Sequence, residues 1–175
     1  MVWFDRATWH WIQQEIFMKN QPIKRSEDMK LLSRDHHFGL LFSWKIKQGM
    51  AKKVATIRMK SYLNFFWHQH LKDHFLDEEV LLFNRFDPEQ LCVQAKKDHQ
   101  QIINFIDAVN SADHGDYMVY ERLITFLNDH IRFEERIVFP YLENVLSEST
   151  LNGIGYFLEK QHHEFIDNYP DEFWK

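Results

Sequence analysis

Two stretches of this 175-residue chain repeat one pattern of potential metal ligands. Residues 71–83 read LKDHFLDEEVLLF and residues 127–139 read LNDHIRFEERIVF. Both match L-x-D-H-x-x-x-E-E-x-x-x-F. The shared identities are Leu71/Leu127, Asp73/Asp129, His74/His130, Glu78/Glu134, Glu79/Glu135 and Phe83/Phe139. His and Glu four residues apart stand one above the other on a helix. The same faces carry Leu71 and Leu81, or Leu127 and Ile137, so both are expected to point inward. A His and a carboxylate left unpaired in an apolar core cost several kcal/mol when charged. A metal ion bound by both removes that cost. Glu79 and Glu135 are rotated by about 100° and are expected at the edge of the site.

Two further His complete the set. His99 lies in register with Ala95, Ile102, Ile103 and Ile106, and His36 with Leu32, Gly39, Leu40 and Ser43. His37 is the rival of His36, but its stripe of Arg34, Leu41, Trp44 and Gln48 is wetter. The site set is therefore His36, His74, Glu78, His99, His130 and Glu134. Asp35, Asp73, Asp98 and Asp129 each precede one of these His, either to orient the rings or as solvated surface charges. His70 stands one turn before His74 and is read as core or entrance lining, with an extra ligand as the alternative. His68 is expected to be exposed. His162 and His163, beside Glu164, suit a lid or the surface. Imidazole mixed with carboxylate suits iron, manganese or zinc. Two ions sharing two carboxylates, about 3.5–4 Å apart, keep positions for exogenous ligands, which one ion with six protein ligands would not.

Long helices must hold these residues. Gly and Pro number only 9 in total, so turn-rich β folds are poorly supported. Apolar residues recur at three and four between well-separated breaks at Pro22, Gly49, Asp87-Pro88, residues 111–116, Asn152-Gly153 and Pro170. This pattern predicts helices near 27–49, 55–86, 89–111 and 116–146, with Ser26 as an N-cap, a short N-terminal helix and a C-terminal helix near 150–168. The fold class is all-α: an antiparallel up-down-up-down four-helix bundle with additional short N- and C-terminal helices. One domain is expected, with a core over 26–146 and an aromatic segment over 1–25. Pro140 should kink or end the fourth helix and aim the C-terminal segment across an open end of the bundle.

Other classes fall away. A net charge of −5 gives no general attraction to nucleic acid or anionic membrane. Asp5, Arg6, His10 and Glu15 interrupt the aromatic N-terminus, so neither a secretory signal nor a membrane span is expected. The single Cys excludes an internal disulfide and fits a reducing, cytoplasmic location. Trp3, Trp9, Trp11 and Phe17 suit a core cap or an oligomer interface, with contact to a membrane surface as the alternative. The partners expected are a second copy of the chain in a homodimer or a signalling partner.

The motifs SRDHH at 33–37, DHFLDEE at 73–79, DHQQI at 98–102 and DHIRFEER at 129–136 together resemble the hemerythrin-like, or HHE cation-binding, family. The resemblance implies two non-haem iron ions with oxo or hydroxo and carboxylate bridges, for which manganese or zinc can substitute. Carried over, His36 and His74 bind one iron, His99 and His130 the other, and Glu78 and Glu134 bridge. The oxygen-carrying members have a second His four residues from the third-helix ligand, where this chain has Ala95 and Ile103. Their fourth helix has His followed five later by Asp, against His130 and Glu134 here. These departures resemble bacterial and regulatory members and favour response to oxygen, nitric oxide or iron over reversible carriage. Three functions follow as expectations: a non-catalytic module binding or sensing oxygen, nitric oxide or iron; an enzyme of peroxidase, oxidase, nitric-oxide-handling or iron-centre-repair type; or a metal-free helical interaction protein. Tyr120 and Tyr141 are available for redox chemistry or packing.

Overall fold

A computed structural model describes residues 25–86, 89–112, 116–162 and 165–175. The N-terminal aromatic segment, the breaks at Asp87-Pro88 and Asp113-His114, and His163 and Glu164 lie outside the described residues.

Most of the described residues are helical, and none lies in a strand. A 3-10 turn, Glu27–Met29, leads into α1, Lys30–Ala51. Ser26 makes no side-chain cap; its backbone N–H donates instead to Glu143 Oε1 at 2.8 Å. Helix α2 runs without a break through Thr56–Phe66, Trp67–Leu71, Lys72–Glu78 and Glu79–Phe83. Helix α3 is Gln90–Ser111. Helix α4 joins Met118–Phe133, Glu134–Val138 and Phe139–Val145. Helix α5 is Glu148–Gln161, where the Ser147 side chain accepts from the Thr150 N–H.

Each of the first four helices packs on two of the others. Phe42 of α1 stacks on Phe66 of α2 at 4.5 Å, while Asp35 meets His74. Asn64 and Lys96 of the α2–α3 pair bond to Asn110 and Asn84. Phe105 meets Phe126 across α3 and α4, and Asp98 meets His130. Gly39 of α1 faces Ile131 of α4, and His36 faces Glu135. In every pair, residue numbers rise along one helix as they fall along the other.

Two apolar clusters divide the interior. One holds Phe42, Ile46, Leu63, Phe66, Ile102, Ile106, Leu123 and Leu127. The other holds Leu32, Leu82, Phe83, Ala95, Val138 and Leu142, closed by Ile154 and Leu158 of α5. Along each of α1 to α4, the His and Glu of interest fall between residues of the first cluster and residues of the second.

Three five-residue turns are π-helical: Trp67–Leu71, Glu79–Phe83 and Glu134–Val138. A π turn takes an extra residue and displaces everything beyond it around the axis. Ile137, expected inward seven residues after His130, is therefore 48% exposed, and Val138 is buried in its place. Leu81 is likewise only half-buried, with Leu82 buried beside it. Leu40 also departs from its expected inward place and lies exposed on the flank of α1.

Pro140 does not end α4, which continues to Val145. The proline sits in the first turn after a π turn, where the hydrogen-bond ladder is already displaced. The C-terminal segment nevertheless folds back. Helix α5 packs on the Glu27–Met29 turn so closely that a Cβ at Gly155 would lie 2.9 Å from Asp28 Cα. It stops at Gln161, short of the expected 168. Residues 165–175 instead run as a non-helical strap, with Phe165, Phe173 and Trp174 buried against the first cluster. Asp167 ties the strap down through Lys45 at 2.6 Å and the Tyr62 hydroxyl at 2.5 Å. Burial of these three aromatics gives more than a further helical turn ending in Pro170 would give.

Candidate metal centre

The six residues singled out by spacing converge. Glu78 and Glu134 are 0% exposed, and His36, His74, His99 and His130 are all buried. Glu78 Oε1 lies 3.3 Å from His36 Nε2 and 3.4 Å from His74 Nε2, while its Oε2 lies 3.2 Å from His99 Nε2. Glu134 Oε2 lies 3.1 Å from His36 Nε2 and 3.2 Å from His130 Nε2; its Oε1 lies 3.5 Å from His99 Nε2. Both carboxylates thus face both His pairs. These are close contacts without hydrogen-bond geometry: none of the four carboxylate oxygens has a hydrogen-bond partner, nor do Nε2 of His36, His99 and His130. Buried polar atoms are seldom left this way. Two compact donor groups result, His99, His130, Glu78 and Glu134 in one and His36, His74 and Glu78 in the other. The donors fit a divalent transition metal in each.

The other ring nitrogens face acids of neighbouring helices, and those of His36 and His99 are hydrogen-bonded to them. His36 Nδ1 pairs with Glu135 Oε1 at 2.7 Å, and His99 Nδ1 with Glu79 Oε1 at 2.9 Å. His74 Nδ1 lies 3.5 Å from Asp35 Oδ2, and His130 Nδ1 lies 3.7 Å from Asp98 Oδ2. The acids of α1, α2, α3 and α4 serve the His of α2, α3, α4 and α1 in turn. A carboxylate on Nδ1 fixes the tautomer that leaves the Nε2 lone pair for a metal. Asp35 and Asp98 lie beside the His74 and His130 rings without a hydrogen bond to them, whereas Asp73 and Asp129 are exposed. Glu79 and Glu135, expected at the edge, are holders of His rings. Within a π turn, successive side chains are separated by roughly 80° instead of 100°, so Glu135 joins Glu134 in the interior. Their repetition in both motifs was the available signal. Arg25 was not foreseen: its Nη2 donates to Glu135 Oε2 at 2.7 Å.

Electrostatics follow the same contacts. Burial pushes His36 toward neutrality, but Glu134, Glu135 and Glu78 outweigh it and hold its pKa well above the usual value. His99 behaves alike, burial being overcome by Glu134, Glu78 and Glu79. Burial would raise Glu135, yet His36, Ser33 and Arg25 bring it down to about 2. Burial also opposes ionisation of Glu78, and His74, His36 and His99 reverse it. Protons and metal ions thus compete for the same buried nitrogens.

Aromatic rings wall the site. The final Phe of each motif meets a His: Phe139 stacks on His36 at 5.4 Å, and Phe83 is 5.7 Å from His99. Phe75 stacks on His99 at 3.9 Å. A cavity of about 140 Å3 borders His74, lined by Asp35, His70, His74, Asp77 and His162 among others. His70 belongs to neither donor group; its Nε2 is 3.4 Å from the Asp35 carbonyl and its ring stacks on Phe165 at 4.7 Å. Burial lowers its pKa to about 4. His37 and His68 are exposed. The Tyr120 hydroxyl donates to the Thr56 carbonyl and that of Tyr141 to Glu89, so both serve packing.

No helix of the described residues is long and apolar enough to cross a membrane. Among known proteins, the model of the hemerythrin HHE cation-binding domain matches residues 45–142. That span contains His74, Glu78, His99, His130 and Glu134; His36 precedes it and joins the group through geometry alone. No curated protein and no solved structure matches the chain. The chain belongs to the hemerythrin HHE cation-binding family.

Proposed function

We propose that this member of the hemerythrin HHE cation-binding family holds two iron ions within an antiparallel up-down-up-down four-helix bundle and uses them to bind or sense oxygen or nitric oxide. His36 and His74 would hold one ion, His99 and His130 the other, with Glu78 and Glu134 bridging. The observation that carries this reading is the set of four buried carboxylate oxygens without hydrogen-bond partners, faced by imidazole nitrogens from four helices. Iron bound there supplies one-electron chemistry and positions open to a small ligand.

The chain's own groups do the rest. Glu135 and Glu79 hold the His36 and His99 rings with Nε2 turned inward, and Asp35 and Asp98 lie beside the rings of His74 and His130. Phe75, Phe83 and Phe139 keep water from the imidazoles they cover. Glu78 falls in both donor groups and links them. The smaller group is the one next to the cavity, through His74, so an exogenous ligand enters on that side. A single buried cysteine suits a reducing cytoplasm.

The test is anaerobic reconstitution with Fe2+, metal analysis, and visible spectra on addition of oxygen, nitric oxide or peroxide. Two irons per chain with spectra that change reversibly support binding or sensing. Sustained peroxide or oxygen turnover assigns an enzyme instead. A chain that takes up no iron overturns the reading.

A further inference from the structure

We propose that the cavity beside His74 is a cation-entry site, which takes up a hydrated divalent transition-metal ion and delivers it to the buried donors. The proposal rests on the metal-centre reading above and adds a second site outside it.

The lining contributes three carboxylates, Asp35, Asp73 and Asp77, and three imidazoles, His70, His74 and His162, with no Lys or Arg among them. Asp73 is exposed and Asp77 half-buried, so charge is presented from the surface inward. Asp35 is the deep member. It is 3% exposed, and its Oδ1 is buried with no hydrogen-bond partner. Its Oδ2 lies 3.5 Å from Nδ1 of both His74 and His162, one on each side. A buried carboxylate oxygen without a donor beside a polar cavity is satisfied by a cation or its water. The volume of about 140 Å3 has room for an ion with several of its waters. Oxygen and imidazole lining selects the manganese-to-zinc class of divalent ions.

Transit, not retention, follows from the geometry. Among the described residues, the compact donor groups are the two of the buried centre, and the cavity's carboxylates form no third. An ion in the cavity is therefore held largely through its waters. His74 joins the two places: Nδ1 faces Asp35 in the cavity wall, and Nε2 faces Glu78 within. Passage inward exchanges water ligands for Glu and His.

The probe is Co2+, added to metal-free protein and followed by its visible absorption in a stopped-flow instrument. The variant is Asp73→Asn/Asp77→Asn, which touches no buried donor. Its loading rate should fall roughly three- to tenfold at low ionic strength, with the final absorption unchanged, because focused charge acts on the encounter. Equal loading rates overturn the proposal. A second titration adds Mn2+ to protein saturated with Zn2+, read by the electron paramagnetic resonance of free Mn2+. One weak Mn2+ site present in the parent and lost in the variant supports the cavity; no weak site, or one retained by the variant, overturns it. Failure of the parent to take up Co2+ in the buried centre defeats the centre instead, and the Mn2+ titration still decides whether the cavity binds.

Discussion

The two halves of the centre are built from one repeated motif and end in different surroundings. Around His99 and His130, four donors converge, and Phe75 lies flat on His99. Around His36 and His74 there are three, and the His74 ring borders a polar cavity. The residue after the motif His differs between the two copies. On α2 it is Phe75, which covers the neighbouring imidazole. On α4 it is Ile131, which is turned to Gly39, where an added Cβ would stand 2.8 Å from its Cδ1. Repetition supplies like donors to both halves, while Phe75 covers His99 in one and a cavity borders His74 in the other.

Six substitutions bear on that contrast. The largest effect belongs to Glu78→Ala. Glu78 is common to both donor groups, so metal analysis should find both halves emptied, whereas His74→Ala should empty the open half alone. Equal losses would erase the distinction between a bridging and a terminal donor. Phe75→Ala should follow, with about 3–5 kcal/mol of stability lost in denaturant melts, since a buried ring and its contacts are removed. It should also let azide or nitric oxide perturb the sealed half, visible as a second spectral species.

His70→Leu probes the open side through pH. The folded pKa of His70, about 4, lies below the ordinary 6.5 because of burial, so the unfolded chain binds its proton first. Its contribution is whole above pH 6.5 and is lost as the pH falls toward 4, by up to about 3 kcal/mol. Denaturant melts of the variant should be flatter over that window than those of the parent; parallel curves would refute the assignment. The smallest effects concern the ring-holding carboxylates. Glu135→Gln should weaken metal affinity about ten- to a hundredfold in chelator competition. Glu79→Gln should cost less, because its side chain is 34% exposed against 10% for Glu135, which Arg25 also holds.

The six His and Glu that converge were legible because their signal is local. His and Glu four apart share a helical face whatever the helix packs against, and an apolar stripe says which face turns inward. That reasoning chose His36 over His37 and found six residues on four helices. It erred where it assumed an unbroken 3.6-residue period. Ile137 was placed inside and Glu135 at the edge because a π turn at Glu134 leaves no plain mark in composition. It also ran the C-terminal helix seven residues too far, since the burial that draws Phe165, Phe173 and Trp174 into a strap depends on a groove between α1 and α2.

The sequence by itself determined an all-helical chain and the donor types at their spacing, because both follow from interactions within a turn or two of backbone. Only the tertiary structure decided that Asp35 reaches His74 while Asp73 faces solvent, that Glu135 holds His36 together with Arg25, and that a cavity opens beside one half of the centre. Those outcomes depend on the register between helices distant in sequence, and register is set by the packing of whole faces rather than by any local pattern.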